Sequence, residues 1–108
     1  MFKKGTVILV PFPFTDLSGN KVRPAVIISE KMIGTDVVVL FITSQTKPGV
    51  KHLVKVKPEE SNGLKVTSKI ICSKIATLDA KIVLGEIGMV SGIVLSQINQ
   101  ELKKVLGL

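Results

Sequence analysis

The chain has no tryptophan, no tyrosine, one cysteine, one histidine and one arginine among its 108 residues. Each scarcity closes a class of function. A single cysteine, Cys72, cannot make an intrachain disulfide, and in the run Ile70-Ile71-Cys72 it reads as a small buried hydrophobe. One histidine and one cysteine cannot supply the ligands of an all-protein zinc site, so neither a metal nor any other cofactor is expected. No apolar run approaches the roughly 20 residues that span a bilayer, which argues against a membrane partner. After Met1-Phe2-Lys3-Lys4 the chain is apolar only from Val7 to Val10 before its prolines begin, too short for the roughly 7–15-residue core of a signal peptide. A cytoplasmic location is therefore expected.

What the chain does contain is apolar mass and positive charge. Its 45 % apolar content and mean hydropathy of +0.46 suit a dense core, and its length suits one domain, residues 1–108. Fifteen basic residues against eight acidic ones give a net charge of +7, the balance of a protein that meets polyanions, nucleic acid first among them. Excess lysine that merely keeps an apolar protein soluble is the plainer alternative. Fourteen of the fifteen are lysines, so Arg23, the lone planar bidentate donor, stands where lysine would not serve as well.

Val7–Val10 reads as a buried strand that ends at Pro11-Phe12-Pro13-Phe14, and residues 15–21 as an exposed loop rich in turn formers. Pro24–Ser29, Val37–Thr43 and Lys69–Ile75 are Val/Ile-rich strands, Leu53–Lys57 alternates like a strand with one wet face, and a last strand covers Ile82–Ile87. Strands so short and so close predict a compact antiparallel barrel of about five to seven strands, mainly β. One helix closes the chain. Ser91 is its N-cap, Leu95, Ile98, Leu102, Val105 and Leu106 form its apolar stripe, Gln97, Gln100, Glu101 and Lys104 lie opposite, and Gly107 ends it.

The order of these segments carries a resemblance. Gly5-Thr6-Val7-Ile8-Leu9-Val10-Pro11-Phe12 with a polar loop and Arg23-Pro24-Ala25-Val26-Ile27, then Ile42-Thr43-Ser44-Gln45, then Lys74-Ile75-Ala76-Thr77-Leu78-Asp79 and Glu86-Ile87-Gly88, resemble the MazF/PemK toxins over nearly the whole chain. The resemblance implies an SH3-like small antiparallel β-barrel with a C-terminal α-helix. It also implies the toxin component of a type II toxin–antitoxin system, acting as a homodimer and held inactive by a cognate antitoxin. The implied activity is a metal-independent endoribonuclease that cuts single-stranded RNA, mRNA above all, by attack of the ribose 2′-hydroxyl. Such a reaction needs a base, a donor array for the crowded phosphorane and an acid for the departing 5′-oxygen.

Arg23 fits the second role because its guanidinium matches phosphate oxygens with paired donors. On the residues alone, pairing with a carboxylate such as Asp16 is the simpler role; with the resemblance, catalysis is expected. Thr43 and Ser44 fall at a strand end where hydroxyls reach a phosphate, although hydroxyls in such turns commonly bond their own backbone. Lys74 takes a place where relatives carry a carboxylate or glutamine followed by an arginine, and it would stabilise the phosphorane or protonate the leaving oxygen if buried. Asp16 is the candidate carboxylate, with a turn or cap role as its plainer reading. Lys21, Lys47 and Lys51 are expected to meet RNA phosphates and Phe14 to stack on a base, while Phe12 and Phe41 are expected in the core. His52 is expected to be a solvated loop residue. The missing carboxylate beside Lys74 supports a different class of function, a non-catalytic binder on the same barrel: a topoisomerase poison like the CcdB family, an RNA-binding module, or a degenerate toxin that retains only antitoxin binding.

Overall fold

Three strands carry apolar residues on both faces, and a strand of that kind is stable only between two cores. In the computed structural model, which describes residues 2–12 and 21–108, these are β1 (Thr6–Phe12), β2 (Lys21–Ile27) and β3 (Asp36–Thr43). Val7, Val26, Leu40 and Ile42 point into one core with Val54, Val56, Ile70, Cys72, Val90 and Ile98. Their neighbours Ile8, Val10, Ala25, Ile27, Val37 and Val39 point into the other with Leu78. Burial pushes the Cys72 thiol up to about 11, so the lone cysteine behaves as the small hydrophobe the sequence suggested.

After β3 the chain forms β4 (Leu53–Val56), β5 (Ser68–Asp79), a short 3-10 turn (Ala80–Ile82), β6 (Gly85–Met89) and helix α1 (Gly92–Leu106). All five strand pairings are antiparallel, and the spatial order is β4-β5-β3-β2-β1-β6. The expected barrel takes the form of a curled half-barrel whose edge strands, β4 and β6, do not pair with each other among the described residues. The gap between them is bridged by the turn after β4. The Met89 N–H donates to the Ser61 carbonyl (2.8 Å), and the backbone of Ser61 and Asn62 comes so close to Gly88 that a Cβ there would lie 2.4 Å from the Ser61 oxygen. Buried Asn62 holds that turn, with its side-chain oxygen accepting from the Glu59 and Leu64 N–H groups and its amide donating to the Lys57 carbonyl.

Two boundaries differ from the sequence expectation for identifiable reasons. β5 continues to Asp79 because Ile75–Asp79 find partners along Leu40–Asp36, and Ile82 falls in the 3-10 turn that follows. Between Leu40 and Phe41 the register slips: Leu40 faces Ile75, but Phe41 faces Ile71. Cys72, Ser73 and Lys74 therefore face no β3 residue and form a bulge.

Helix α1 lies against the first core through fully buried Ile98, with Val94, Leu95 and Leu102 beside it. Ser91 caps its start by accepting from the Val94 N–H (3.2 Å), and Gly107 takes the left-handed conformation at its end. Leu106, expected on the apolar stripe, is 54 % exposed because the last turn runs past the sheet. Truncating Ile98 removes the central contact between helix and sheet. Ile98→Ala should cost about 2–5 kcal/mol of stability, read from urea unfolding; a loss below about 1 kcal/mol would mean that the helix is not held by this packing.

Candidate functional site

The sheet opens at one end because one of its ladders stops there and another slips in register. Pro24 has no N–H to give, and β2 pairs with β3 only from Ala25 (opposite Phe41) onward, although Lys21–Pro24 remain paired with β1. On the other side of β3, β5 carries the 72–74 bulge and then resumes its pairing, with Ile71, Ile70 and Lys69 facing Phe41, Ile42 and Thr43. Beside these two irregularities lie two adjoining hollows. One, of about 270 Å³, is lined by Arg23, Phe41, Ile42, Thr43, Gln45, Thr46, Lys47, Val50, Ile71 and Lys74. The other, of about 290 Å³, is lined by Lys21, Val22, Arg23, Pro24, Ile42, Thr43, Ser44 and Ser68. Arg23 and Thr43 belong to both.

The fold thus gathers Arg23, Thr43, Ser44, Lys74, Lys21 and Lys47 from three separate stretches of chain. Lys51 lies in the same loop as Lys47 but lines neither hollow. Asp16 and Phe14 lie outside the described residues. Lys74 is exposed, so the burial on which its role as an acid depended is not met; the bulge turns consecutive residues Ser73, Lys74 and Ile75 outward and breaks the in-out alternation. What Lys74 contributes at this place is a solvated positive charge.

Thr43 has the turn geometry common at strand ends. Its hydroxyl donates to the Gln45 carbonyl (2.7 Å) and accepts from the Gln45 N–H (3.1 Å), which fixes the oxygen at the mouth of both hollows and leaves one acceptor site. The following loop is folded by Lys47-Pro48-Gly49-Val50, in which the Val50 N–H reaches the Lys47 carbonyl and Gly49 adopts a φ of 87° that a turn of this type requires. Lys69 on β5 ties the loop down through Thr46 (3.2 Å).

Every ionisable side chain lining the two hollows, among the described residues, is basic. They are joined by the hydroxyls of Thr43, Ser44, Thr46 and Ser68. Phe41, expected in the core, packs half-buried against the second core and also forms one wall of the first hollow. No local pattern shows that second role, because the register slip beside Phe41 follows from a long-range pairing. Among the described residues, no three His, Cys, Asp or Glu side chains come together as metal ligands would, and no helix is long and apolar enough to cross a membrane.

His52 is not the solvated loop residue that was expected. Its Nδ1 lies 3.1 Å from Glu101 Oε1 on α1, and Glu101 Oε2 accepts from Lys104 Nζ (3.2 Å). The hydrogen bond from His52, followed by that from Lys104, holds the Glu101 carboxyl below its ordinary value of 4.5. The folded state therefore gains stability from ionised Glu101 at pH above 4.5, and that gain disappears as pH falls through the lowered value.

Three comparisons place this geometry. The family of PemK-like, MazF-like toxins of type II toxin–antitoxin systems matches residues 3–106. Among solved structures, the chain is similar to an endoribonuclease in complex with its cognate antitoxin from a mycobacterial species, with a TM-score of 0.79 and 21 % identity over 100 % of this chain and 97 % of that one. It is similar also to MazF in the MazE-MazF complex of Deinococcus radiodurans (0.77, 20 %, covering 98 % and 96 %) and to the Mycobacterium tuberculosis toxin MazF-mt6 (0.75, 19 %, covering 95 % and 97 %). No curated protein sequence matches at a significant level.

The Glu101 interaction makes a prediction about acid stability. Glu101→Gln, which cannot titrate, should be less stable than the parent chain at neutral pH, and the gap in urea midpoint should close as pH drops below 4.5. A gap that stays constant through that range would show that the carboxylate's charge contributes nothing.

Proposed function

Since the chain belongs to the PemK-like, MazF-like toxins of type II toxin–antitoxin systems, we propose that it cleaves single-stranded RNA at the Arg23–Thr43 hollows and is held inactive by a cognate antitoxin. The observation that carries this reading is the all-basic, hydroxyl-rich lining, a site built for a phosphodiester. The attacking group is the ribose 2′-hydroxyl. Its oxygen bonds to phosphorus, the bond to the 5′-oxygen breaks, and the products are a 2′,3′-cyclic phosphate and a 5′-hydroxyl. No metal takes part in this scheme.

Arg23 is the donor to the phosphorane oxygens. It sits on a strand locked to β1 opposite Val10, so its backbone is preorganised and little rearrangement accompanies charge development. Thr43 offers its remaining acceptor site and Ser44 a hydroxyl at the same mouth. Lys74 adds positive charge from the bulge. Lys21 and Lys47, one on each side of the cleavage point, hold flanking phosphates, and Lys51 extends that basic strip along the loop. Phe41 supplies an apolar wall against which a base packs, a role for which Phe14 is the further candidate. The proton from the 2′-hydroxyl needs an acceptor, and Asp16 is the carboxylate proposed for it.

The absence of any carboxylate or imidazole from the described lining favours a second reading, a non-catalytic binder that uses the same basic site. Cleavage of a long single-stranded RNA by the purified protein in EDTA separates the two; a wild-type protein that binds RNA without cutting it would establish the second. Arg23→Ala should remain folded and lose roughly 10²–10³ in cleavage rate, the usual consequence of removing one preorganised donor. Arg23→Lys should recover little of that loss, because a lysine keeps the charge but not the planar fork. Full activity in Arg23→Ala would end the catalytic assignment.

The protein is also proposed to work as a homodimer, which would cover apolar side chains such as Val22, Ile75 and Leu84 that a monomer leaves exposed. Light scattering at micromolar concentration should give twice the 11.6 kDa chain mass; a monomer alone would exclude this.

A further inference from the structure

His52 stands at a corner where the loop after β3, the β5 bulge and helix α1 meet. Among the described residues it is the one non-glycine with positive φ, at 61°. A histidine holds that backbone only where its surroundings impose it. Two contacts do so. Its carbonyl accepts from the Cys72 N–H (3.0 Å), the first residue of the bulge, and its ring reaches Glu101 on α1.

The first contact carries the β4–β5 ladder one step beyond Leu53–Ile71, so the first bulge residue stays tied to the start of β4 although it faces no β3 residue. Two residues further along that bulge is Lys74. The second contact fixes the corner to a helix whose own position is set by buried Ile98. On the other side of His52, the same loop carries Gln45, Thr46, Lys47 and Val50, one wall of the hollow that Phe41 also lines. One residue therefore ties both walls, the loop and the bulge, to a helix seated on the core.

We propose that His52 is a positioning residue for RNA cleavage: its left-handed backbone and its ring-to-Glu101 contact hold the loop and the Lys74 bulge at the spacing the substrate requires. This rests on the reading of the hollows as the RNA site. His52 touches no substrate itself, so its effect falls on how well the preformed walls receive RNA and chiefly on KM.

The test compares wild type, Arg23→Ala, His52→Ala, His52→Gly and Glu101→Gln by steady-state cleavage of one single-stranded RNA in EDTA, at a temperature where circular dichroism shows each variant folded. His52→Ala loses both the ring and the tolerance of positive φ, and kcat/KM should fall by about 10–100-fold, chiefly through a higher KM, as the walls that receive RNA shift by around an ångström. His52→Gly keeps the backbone freely and loses only the ring, so it should recover part of the loss. Glu101→Gln retains a hydrogen-bond acceptor without the charge and should raise KM several-fold while kcat stays near wild type. If His52→Ala does not fold, the glycine and Glu101 variants decide the matter by the same KM criterion. Wild-type KM and kcat in the folded His52 variants, with Arg23→Ala inactive, would overturn the positioning role and leave the site reading standing. No cleavage by wild type, or full cleavage by Arg23→Ala, would overturn both.

Discussion

Where β3 passes from Leu40 to Phe41, its partner on β5 jumps from Ile75 to Ile71, and the three residues left over have no place in the sheet. Much of the molecule's usable surface follows from that slip. A regular ladder would have kept β3 covered on both edges, as two-sided apolar strands require. Instead β5 bulges on one side before its pairing resumes, while Pro24, without an N–H, marks the end of the β2 ladder on the other. The end of β3, with Ile42 and Thr43, keeps β5 beside it and loses β2. A continuous core below and an interrupted sheet above are the conditions for a cleft that does not collapse.

That cleft then concentrates charge. Lys21 and Arg23 arrive on β2, Lys47 on the loop and Lys74 on the bulge, with no described carboxylate lining the hollows beside them. Like charges so gathered repel, and the fold tolerates them because most stay in contact with water, where the interaction is weak and salt-screened. A polyanion relieves that repulsion when it binds. Of the fourteen lysines, the topology brings Lys21, Lys47 and Lys74, which lie far apart in sequence, to one mouth.

How much of this could be read beforehand depends on the range of the interaction involved. Val7–Val10, Val37–Thr43 and the Ile98 stripe announce themselves through local periodicity, so the strands, the terminal helix and the antiparallel class were legible. Arg23, Thr43, Ser44 and Lys74 were legible as a set through a resemblance spread over the chain. The exposure of Lys74 and Phe41 was not, because each depends on a register between residues some thirty positions apart, and nothing local to either residue encodes it. His52 was the deepest miss. Its sequence neighbours Lys51 and Leu53 suggest an ordinary loop-to-strand passage, and neither its left-handed backbone nor Glu101, forty-nine residues away, leaves a local trace.

The helix shows how such a distant pairing comes to be useful. Its buried face alone would secure it, since Ile98, Leu95 and Leu102 already remove a continuous apolar strip from water. Glu101 lies one turn from Ile98 on a partly exposed flank, held by Lys104 from its own helix and by His52 from outside. Exposed ion pairs stabilise proteins little. The contact's greater consequence is geometric: it links a helix whose position the core determines to the corner where β4 begins beside the bulge. Bulges give a sheet its openings at the cost of local definition, and here one backbone carbonyl on the β4 edge and one imidazole set against the helix add definition back.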